Sequence, residues 1–313
     1  MFFSSKPFEF SDIPDLSGKV AIITGSNTGI GKVCAIEMAR KNCQVIVASR
    51  SEDKGQAAVA DIKEITGNDK VEFIKLNLLS LQSVQAFVEE FKSKYDSLHI
   101  LLNNAGVMMC PYSLSEDGLE TQFATNHVAH YFLTIQLLPL LIKSGPSRIV
   151  NVSSSGHNFT SFYAPDLERI NDEKGYGPFT NYSYSKAFNI LFTIELAKRL
   201  EAKGIKNVYV NSNHPGMVRS ELGRHSVSKD SLFATFLYNV LTVPTEKGAL
   251  TQMYLATSTE VESNNINGKY YVPNAKPGHP NGYSKSEKNA AILWDFTENL
   301  LKEKVSGYQG APV

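Results

Sequence analysis

The sequence has few of the features that mark extracellular, nucleic-acid-binding or membrane proteins. It contains three cysteines, Cys34, Cys43 and Cys110, with no C-x-x-C spacing, which argues against a disulfide framework or a zinc site and favours a reducing compartment. Lys plus Arg equals Asp plus Glu at 31 each, so no basic excess favours a nucleic-acid partner. Neither a run of about 18 apolar residues nor a signal-peptide pattern is present. We therefore expect a cytoplasmic protein without a membrane span.

Short apolar runs alternate with longer amphipathic stretches along the chain. Their length and β-branching predict strands buried on both faces, as in a parallel sheet. The predicted strands are Val20–Thr24, Gln44–Ala48, Val71–Lys75, Leu98–Leu102, Arg148–Val152, Val208–Ser212 and Lys269–Val272.

Helical patterns lie between these strands. Such alternation predicts βαβ crossovers and a doubly wound α/β sheet, and no composition break separates two domains. The predicted helices are Gly29–Lys41, Asp53–Ile65, Leu81–Lys94, Gly118–Lys143, Tyr182–Lys203, Glu246–Ala256 and Lys285–Glu303.

A glycine-rich turn joins the first strand to the first helix. Its spacing is G-x-x-x-G-x-G, which differs from both the usual dinucleotide fingerprint and the P-loop. Glycines allow positive φ and close backbone approach, and the N-terminus of the next helix suits an anionic pyrophosphate. A tight loop without a ligand is the alternative interpretation. The candidate cofactor-binding residues here are Gly25, Asn27, Thr28, Gly29, Ile30 and Gly31.

The end of the second strand carries the signal for cofactor choice. An acidic residue there favours NAD, whereas a basic one suits the 2′-phosphate of NADP. The chain has Ser49 and Arg50, followed by Lys54, and a guanidinium matches phosphate geometry. We therefore predict NADP(H) as cofactor, the alternative being that Arg50 is an ordinary surface cation.

Tyr182 and Lys186 stand four residues apart on a predicted helix, which places them on one face. The spacing alone is weak evidence. The pair follows the fifth strand, which ends in the serine run Ser153–Ser155, at the carboxyl edge where open α/β sheets bind ligands.

Together these motifs resemble the short-chain dehydrogenase/reductase family. The further motifs that carry the resemblance are Asn103–Gly106, Asn126 and Pro215-Gly216. The segments Asn103–Ser113, Asn151–Ser154, Asn189–Thr193 and His214–Ser226 are similar to the retinol dehydrogenase/retinal reductase branch and its WW-domain oxidoreductase relatives. The resemblance implies a single-domain, Rossmann-type, mostly parallel seven-stranded sheet.

The resemblance also implies roles for particular residues. Tyr182 would be the general acid or base, with its pKa lowered by Lys186 and a cationic nicotinamide. Ser154, with Ser153 and Ser155 as alternatives, would donate to the substrate oxygen, and Asn126 would hold a water that passes protons to Lys186. Lys186 would also hold the nicotinamide ribose. The other cofactor-binding candidates are Asn77, Leu78, Asn104, Ala105, Gly106, Pro215, Gly216, Val218 and Ser220.

The resemblance predicts the domain organisation as well. We expect an extension over residues 1–15, one domain over 16–303 and a tail over 304–313. Within the domain, residues 16–150 would form the cofactor half and 151–303 the catalytic and substrate half.

The sequence departs from the family pattern in three places. Asn77 stands where Asp is common, the interval from Ser154 to Tyr182 is long, and the apolar N-terminal anchor typical of the branch is missing. The last departure weakens the transfer of an endoplasmic-reticulum location or a retinoid substrate from the family.

Two functional hypotheses follow from these motifs. The first is an NADP-dependent enzyme that interconverts an alcohol and a carbonyl on a lipophilic substrate such as a retinoid, steroid or other aldehyde or ketone. The second is a catalytically weak NADP(H)-binding sensor or scaffold on the same fold. Three interpretations remain open for the apolar stretch Leu232–Val243: a substrate lid, a membrane-contacting patch or a packed helix. A homodimer is compatible with the family resemblance. His127 and His130 are expected to be packed histidines, so no metal is predicted.

Overall fold

Six strand-helix-strand crossovers and one short hairpin connect the eight strands of the sheet. The computed structural model describes residues 7–218 and 243–313. Its strands are β1 (Val20–Thr24), β2 (Gln44–Ser49), β3 (Val71–Lys75), β4 (Ile100–Asn103), β5 (Ser147–Val152), β6 (Val208–Asn213), β7 (Tyr270–Val272) and β8 (Lys276–Pro277).

The sheet has the order β3-β2-β1-β4-β5-β6-β7-β8. All neighbouring pairs are parallel except β7 and β8, which pair antiparallel. The predicted doubly wound parallel sheet is therefore confirmed, but the predicted count of seven strands is wrong. Only two residues long and ending in Pro277, β8 has neither the length nor the alternation that identifies a strand in a sequence.

Serine residues cap the N-termini of three of the helices. Ser51, Ser80 and Ser286 each cap a helix by accepting a backbone N–H, as N-cap serines commonly do. The helices are α1 (Gly29–Arg40), α2 (Glu52–Thr66), α3 (Leu81–Lys94), α4 (Thr121–Phe123), α5 (Ala129–Lys143), α6 (Pro178–Ala202), α7 (Thr245–Thr257), α8 (Glu260–Ser263) and α9 (Glu287–Lys304).

Two helices differ from their predicted bounds in ways that matter for the site. Helix α6 begins at Pro178 rather than Tyr182, because proline has a suitable φ and needs no hydrogen bond in the first turn. The predicted helix Gly118–Lys143 is interrupted: a π-helical turn, Ala124–Val128, joins α4 to α5. All five residues of this turn are buried, so no one-sided apolar pattern is present there to distinguish a π turn from an α-helix.

Apolar side chains on the two faces of the sheet form two cores. Along β1, Ile22 belongs to the core shared with α3, α5, α6 and α9, whereas Ala21 and Ile23 belong to the core shared with α1, α2 and α7. This alternation is the period-two geometry of a strand covered on both sides. Within residues 7–218 and 243–313, no helix is long and apolar enough to cross a membrane.

Candidate active site

The site lies at the carboxyl edge of the sheet, where several loops converge. Ser154 follows the end of β5, and Asn126 lies in the π turn. Tyr182 and Lys186 lie in the second and third turns of α6. Parallel strands place their carboxyl ends on one edge, so residues distant in sequence meet there.

Tyr182 and Lys186 are almost fully enclosed, at 4% and 3% exposed. The Lys186 Nζ lies 5.8 Å from the centroid of the Tyr182 ring. It donates a hydrogen bond of 3.1 Å to the carbonyl oxygen of Val152, the last residue of β5. This bond fixes the ammonium beside the phenol and ties α6 to the strand that carries the serine.

The hydroxyl of Ser154 is hydrogen bonded to the phenol of Tyr182. The Ser154 Oγ also accepts a bond of 3.1 Å from the backbone N–H of Gly156. Position 156 has no room to spare, since a Cβ there would lie 3.3 Å from Tyr182 Cε1 and 3.4 Å from Ser154 Oγ. Of the three serines in the run, Ser154 is thus the one that reaches Tyr182; Ser153 instead donates to the carbonyl of Lys186.

Burial dominates the electrostatics of this pair. It raises the pKa of Tyr182 to about 12, against the lowering effect of the bond with Ser154. It also lowers the pKa of Lys186 to about 8, because charged forms are disfavoured away from water. Among the protein's own groups, burial therefore outweighs the bond with Ser154, and the lowering expected from Lys186 together with a cationic nicotinamide stays a prediction.

Asn126 uses its side chain to hold the loop after β4. Its Oδ1 accepts from the N–H of Val107, and its Nδ2 donates to the Val107 carbonyl and to Ser185 Oγ, each at 2.9 Å. A Cβ at Gly106 would lie 3.1 Å from Asn126 Oδ1 and 3.2 Å from Lys186 Nζ. Asn126 therefore joins the loop at Gly106, helix α6 and the surroundings of Lys186 into one unit.

The glycine turn has the conformation that its sequence predicts. Gly25 and Gly29 have positive φ, +67° and +57°, a region that other residues avoid. A Cβ at Gly31 would lie 2.6 Å from both Asn104 Nδ2 and the Gly25 carbonyl oxygen. The N-cap residue Thr28 makes no side-chain capping bond, so the first N–H groups of α1 remain available to an anion.

The turn is braced by the loop that follows β4. Thr24 Oγ1 accepts hydrogen bonds from the backbone N–H groups of Asn104 and Ala105, each at 2.9 Å. The Asn104 Nδ2 donates to the Thr24 carbonyl at 2.8 Å. The candidate residues of these two loops are therefore brought together, although 80 residues separate Thr24 from Asn104.

The residues predicted to bind the adenosine half of the cofactor follow β2 and β3. Ser49 is buried, whereas Arg50 and Lys54 are exposed, and neither cation has an ion-pair partner in the described part of the chain. Leu78 is buried. Asn77 accepts from the N–H of Leu79 at 3.2 Å and donates to Glu116 at 3.4 Å.

The loop after β6 carries the remaining candidates. Pro215 is half-buried, and Gly216 has a φ of +88° and donates to His214 Nδ1 at 3.0 Å. The side chain of Val218 packs closely on Gly248: a Cβ at position 248 would lie 2.5 Å from Val218 Cγ2. Ser220 and residues 232–242 of the apolar stretch lie outside the described residues.

Sequence reasoning missed two residues that shape the site, Gln122 and Tyr176. The Gln122 Oε1 accepts from the N–H of Met109, and its Nε2 donates to the Tyr176 hydroxyl. The Tyr176 hydroxyl donates to the carbonyl of Cys110 at 2.5 Å. These bonds join the loop after β4 to the long insert before α6. Gln122 lies four residues before Asn126, so its position on the same helical face was the available signal.

The two histidines beside Asn126 point to different partners. His127 Nε2 lies 3.2 Å from Thr297 Oγ1, and His130 Nε2 lies 2.9 Å from Thr24 Oγ1. No group of three or more metal-ligating side chains occurs among residues 7–218 and 243–313. Tyr184, two residues after Tyr182, packs half-buried against the core on the side of α9.

Known proteins are similar to this chain in both sequence and architecture. A family model described as short chain dehydrogenase matches residues 19–164. Retinol dehydrogenase 12 of Homo sapiens is 42% identical over 286 residues, which cover 91% of this chain and 87% of that protein. Retinol dehydrogenase 11 of Mus musculus is 41% identical with the same coverage.

Solved structures with a similar fold support the same family. An uncharacterised protein from Mycobacterium paratuberculosis is 32% identical with a TM-score of 0.74, covering 95% of this chain and 98% of that one. A short chain dehydrogenase from Escherichia coli CFT073, crystallised with NADPH, is 25% identical with a TM-score of 0.63, covering 84% and 99%. The chain belongs to the short-chain dehydrogenase/reductase family of oxidoreductases, in its retinol dehydrogenase branch, and the resemblance drawn from the motifs is confirmed.

Proposed function

We propose that this chain is an NADP(H)-dependent oxidoreductase that interconverts an alcohol and a carbonyl, with Tyr182 as the proton-transferring group. The observation that carries the proposal is that the half-buried Ser154 meets the buried Tyr182 phenol and the buried Lys186 ammonium in one place at the carboxyl edge of the sheet. A sensor or scaffold would have no use for a buried ammonium held beside a buried phenol, because both groups lose hydration there.

The residues around the glycine turn fit a dinucleotide. The uncapped N–H groups of α1 offer hydrogen bonds to a pyrophosphate, and the absence of a side chain at Gly31 keeps the turn tight against Asn104. Arg50 and Lys54, exposed and without described ion-pair partners, are suited to the 2′-phosphate of NADP. The E. coli neighbour crystallised with NADPH supports this choice. When bound, the nicotinamide supplies or accepts the hydride.

The protein's own groups account for the proton chemistry. With a pKa of about 12, Tyr182 is protonated at neutral pH and is suited to donate its proton to a carbonyl oxygen. The Ser154 hydroxyl, bonded to the same phenol, would donate a second hydrogen bond as negative charge develops on that oxygen. Lys186, with a pKa of about 8, is still largely protonated near pH 7 and stabilises the phenolate that remains.

A lipophilic substrate is the class we propose for this site. The relatives named retinol dehydrogenases suggest it, and the insert beside Ser154 carries exposed aromatic residues. Phe162 is 79% and Tyr163 62% exposed, and both lie near the ring of Phe159, which meets Phe179 edge to face at 5.2 Å. Such a cluster offers apolar contact next to the catalytic serine.

The proposal is tested by Tyr182→Phe, with Tyr184→Phe as the matched control on the same helix. We expect Tyr182→Phe to lower kcat by about 100-fold or more, since it removes the proton donor, and to leave NADPH affinity within about twofold. Tyr184→Phe should keep kcat within about twofold. The measurements are steady-state reduction of aldehydes and ketones of graded size and NADPH fluorescence titration.

Two results would contradict the proposal. Substantial activity of Tyr182→Phe, above about a tenth of the wild-type kcat, would remove Tyr182 from the assigned role. A wild-type chain that binds NADPH but reduces no carbonyl in the panel would favour the sensor hypothesis instead.

A further inference from the structure

The carbonyl of Ser154 accepts two hydrogen bonds from a single residue, His157. The backbone N–H of His157 lies 3.1 Å from it, and the ring Nδ1 lies 2.7 Å from it. Ser154 is the extended N-cap residue of a 3₁₀ turn, Ser155–Ser161, that follows β5. His157 therefore fixes the orientation of the peptide group that follows Ser154.

The ring of His157 is held in one orientation by its surroundings. It is 1% exposed and meets the ring of Tyr270 in β7 edge to face, with centroids 5.0 Å apart. Burial lowers its pKa, so the ring is neutral at physiological pH. We assign its single proton to Nδ1, because Nδ1 lies closest to the Ser154 carbonyl, which can only accept; the Tyr270 hydroxyl lies farther from the same nitrogen, at 3.4 Å. The buried Nε2 has no partner in the described part of the chain.

The backbone of the same turn is anchored independently of this ring. The carbonyl of His157 accepts from Asn281 Nδ2 at 3.0 Å and from Thr160 Oγ1 at 2.8 Å. A change of the ring therefore removes the bond to Ser154 while the turn keeps its other attachments. The Nε2 of the ring is buried without a hydrogen-bond partner among the described residues, which costs free energy of folding. A residue with a purely structural role would not be expected to carry that cost.

We propose that His157 is a positioning residue for the reaction, which holds the Ser154 hydroxyl on the Tyr182 phenol through the bond from Nδ1 to the Ser154 carbonyl. This inference rests on the proposed function. Its consequence is that removing the Nδ1 donor misdirects Ser154 without touching cofactor or substrate, and small misplacements of a reacting group are costly for rate.

The test compares His157→Asn with His157→Gln. The amide nitrogen of Asn can occupy the place of Nδ1, whereas that of Gln reaches toward the place of Nε2. We expect His157→Asn to keep kcat within about threefold of wild type and His157→Gln to lower it by about tenfold or more, with KM for the carbonyl and NADPH affinity nearly unchanged. Asn158→Ala, which removes an exposed bond in the same turn, is the control and should have no effect.

A second measurement separates positioning from a general structural role. In a Ser154→Ala background, His157→Gln should lower kcat no further, because its effect passes through Ser154. Additive losses, or equal losses in the Asn and Gln variants, would overturn the inference. So would a His157→Gln variant as active as wild type.

Failure of this inference is distinguishable from failure of the proposed function. If wild type is active and Tyr182→Phe is not, but His157→Gln is unaffected, only the role of His157 is overturned. If wild type itself reduces no carbonyl, or Tyr182→Phe remains fully active, the proposed function fails first.

Discussion

At the scale of the residue, cofactor choice depends on a charge at the end of β2. Arg50 is exposed, and neither it nor Lys54 has an ion-pair partner within the described ranges. A cation that is already paired would have to break that contact to bind phosphate, whereas these two are free of that cost in the described part of the chain. Their position after Ser49 is the one that meets the adenosine ribose in doubly wound folds.

Replacing Arg50 by Asp should therefore shift preference from NADP toward NAD. A carboxylate would repel a 2′-phosphate but can accept hydrogen bonds from ribose hydroxyls. We expect the ratio of kcat/KM with NADPH to kcat/KM with NADH to fall by about tenfold or more. Lys288→Asp, an equal change of charge at an exposed position on α9, serves as control, and an unchanged ratio in Arg50→Asp would refute phosphate recognition by Arg50.

At the scale of the element, the start of α1 and the loop after β4 act as one unit. Gly31 faces Asn104, which bonds to Thr24 and lies 3.3 Å from Gln252 Nε2 on α7. The N-terminus of α1 is thus held at a fixed distance from the sheet edge. A ligand that bridges the two loops depends on that distance, because backbone N–H bonds tolerate little misplacement.

A methyl group at Gly31 is expected to weaken nucleotide binding. The Cβ of Gly31→Ala would lie 2.6 Å from Asn104 Nδ2 and from the Gly25 carbonyl oxygen, so the glycine turn would have to move. We expect the dissociation constant for NADPH, measured by fluorescence titration, to rise by about tenfold or more. Gly175→Ala, at a position where a Cβ meets nothing within 4 Å, should leave it unchanged, and normal affinity of Gly31→Ala would contradict this account of the turn.

At the scale of the whole molecule, two histidines are buried between the sheet and the helices that cover it. His127 and His130 are 1% and 2% exposed, and burial lowers the pKa of each to about 3. Each must stay neutral in the folded chain, whereas in the unfolded chain it titrates near its ordinary value of about 6.5. Their contribution to stability is therefore fully present above pH 6.5 and is lost as the pH falls from there toward 3.

The free energy of unfolding should decrease on mild acidification. Each histidine contributes a loss of about 1.4 kcal/mol between about pH 7.5 and about pH 5.5. In His127→Gln the amide can still reach Thr297, but position 127 no longer titrates. The decrease in the free energy of unfolding between the two pH values, measured by urea unfolding, should therefore be smaller than in wild type by roughly that amount. If His127→Gln retains the wild-type pH dependence, His127 does not titrate on unfolding.

The sequence by itself determined the features that depend on neighbours along the chain. Alternating apolar runs and amphipathic stretches defined a doubly wound sheet, the glycine spacing defined the turn before α1, and the four-residue spacing put Tyr182 and Lys186 on one helical face. Helix starts were less accurate: α6 begins at Pro178, before the predicted start at Tyr182, because proline suits the first turn of a helix.

The tertiary structure decided which distant groups meet. It selected Ser154 over Ser153 and Ser155, engaged the Asn126 side chain with Val107 and Ser185, and placed His157 on the Ser154 carbonyl. It also added β8 to the sheet edge. The physical reason is that hydrogen-bond partners and burial are set by the packing of loops from several strands, whereas the periodicity of a single segment specifies only which face it buries.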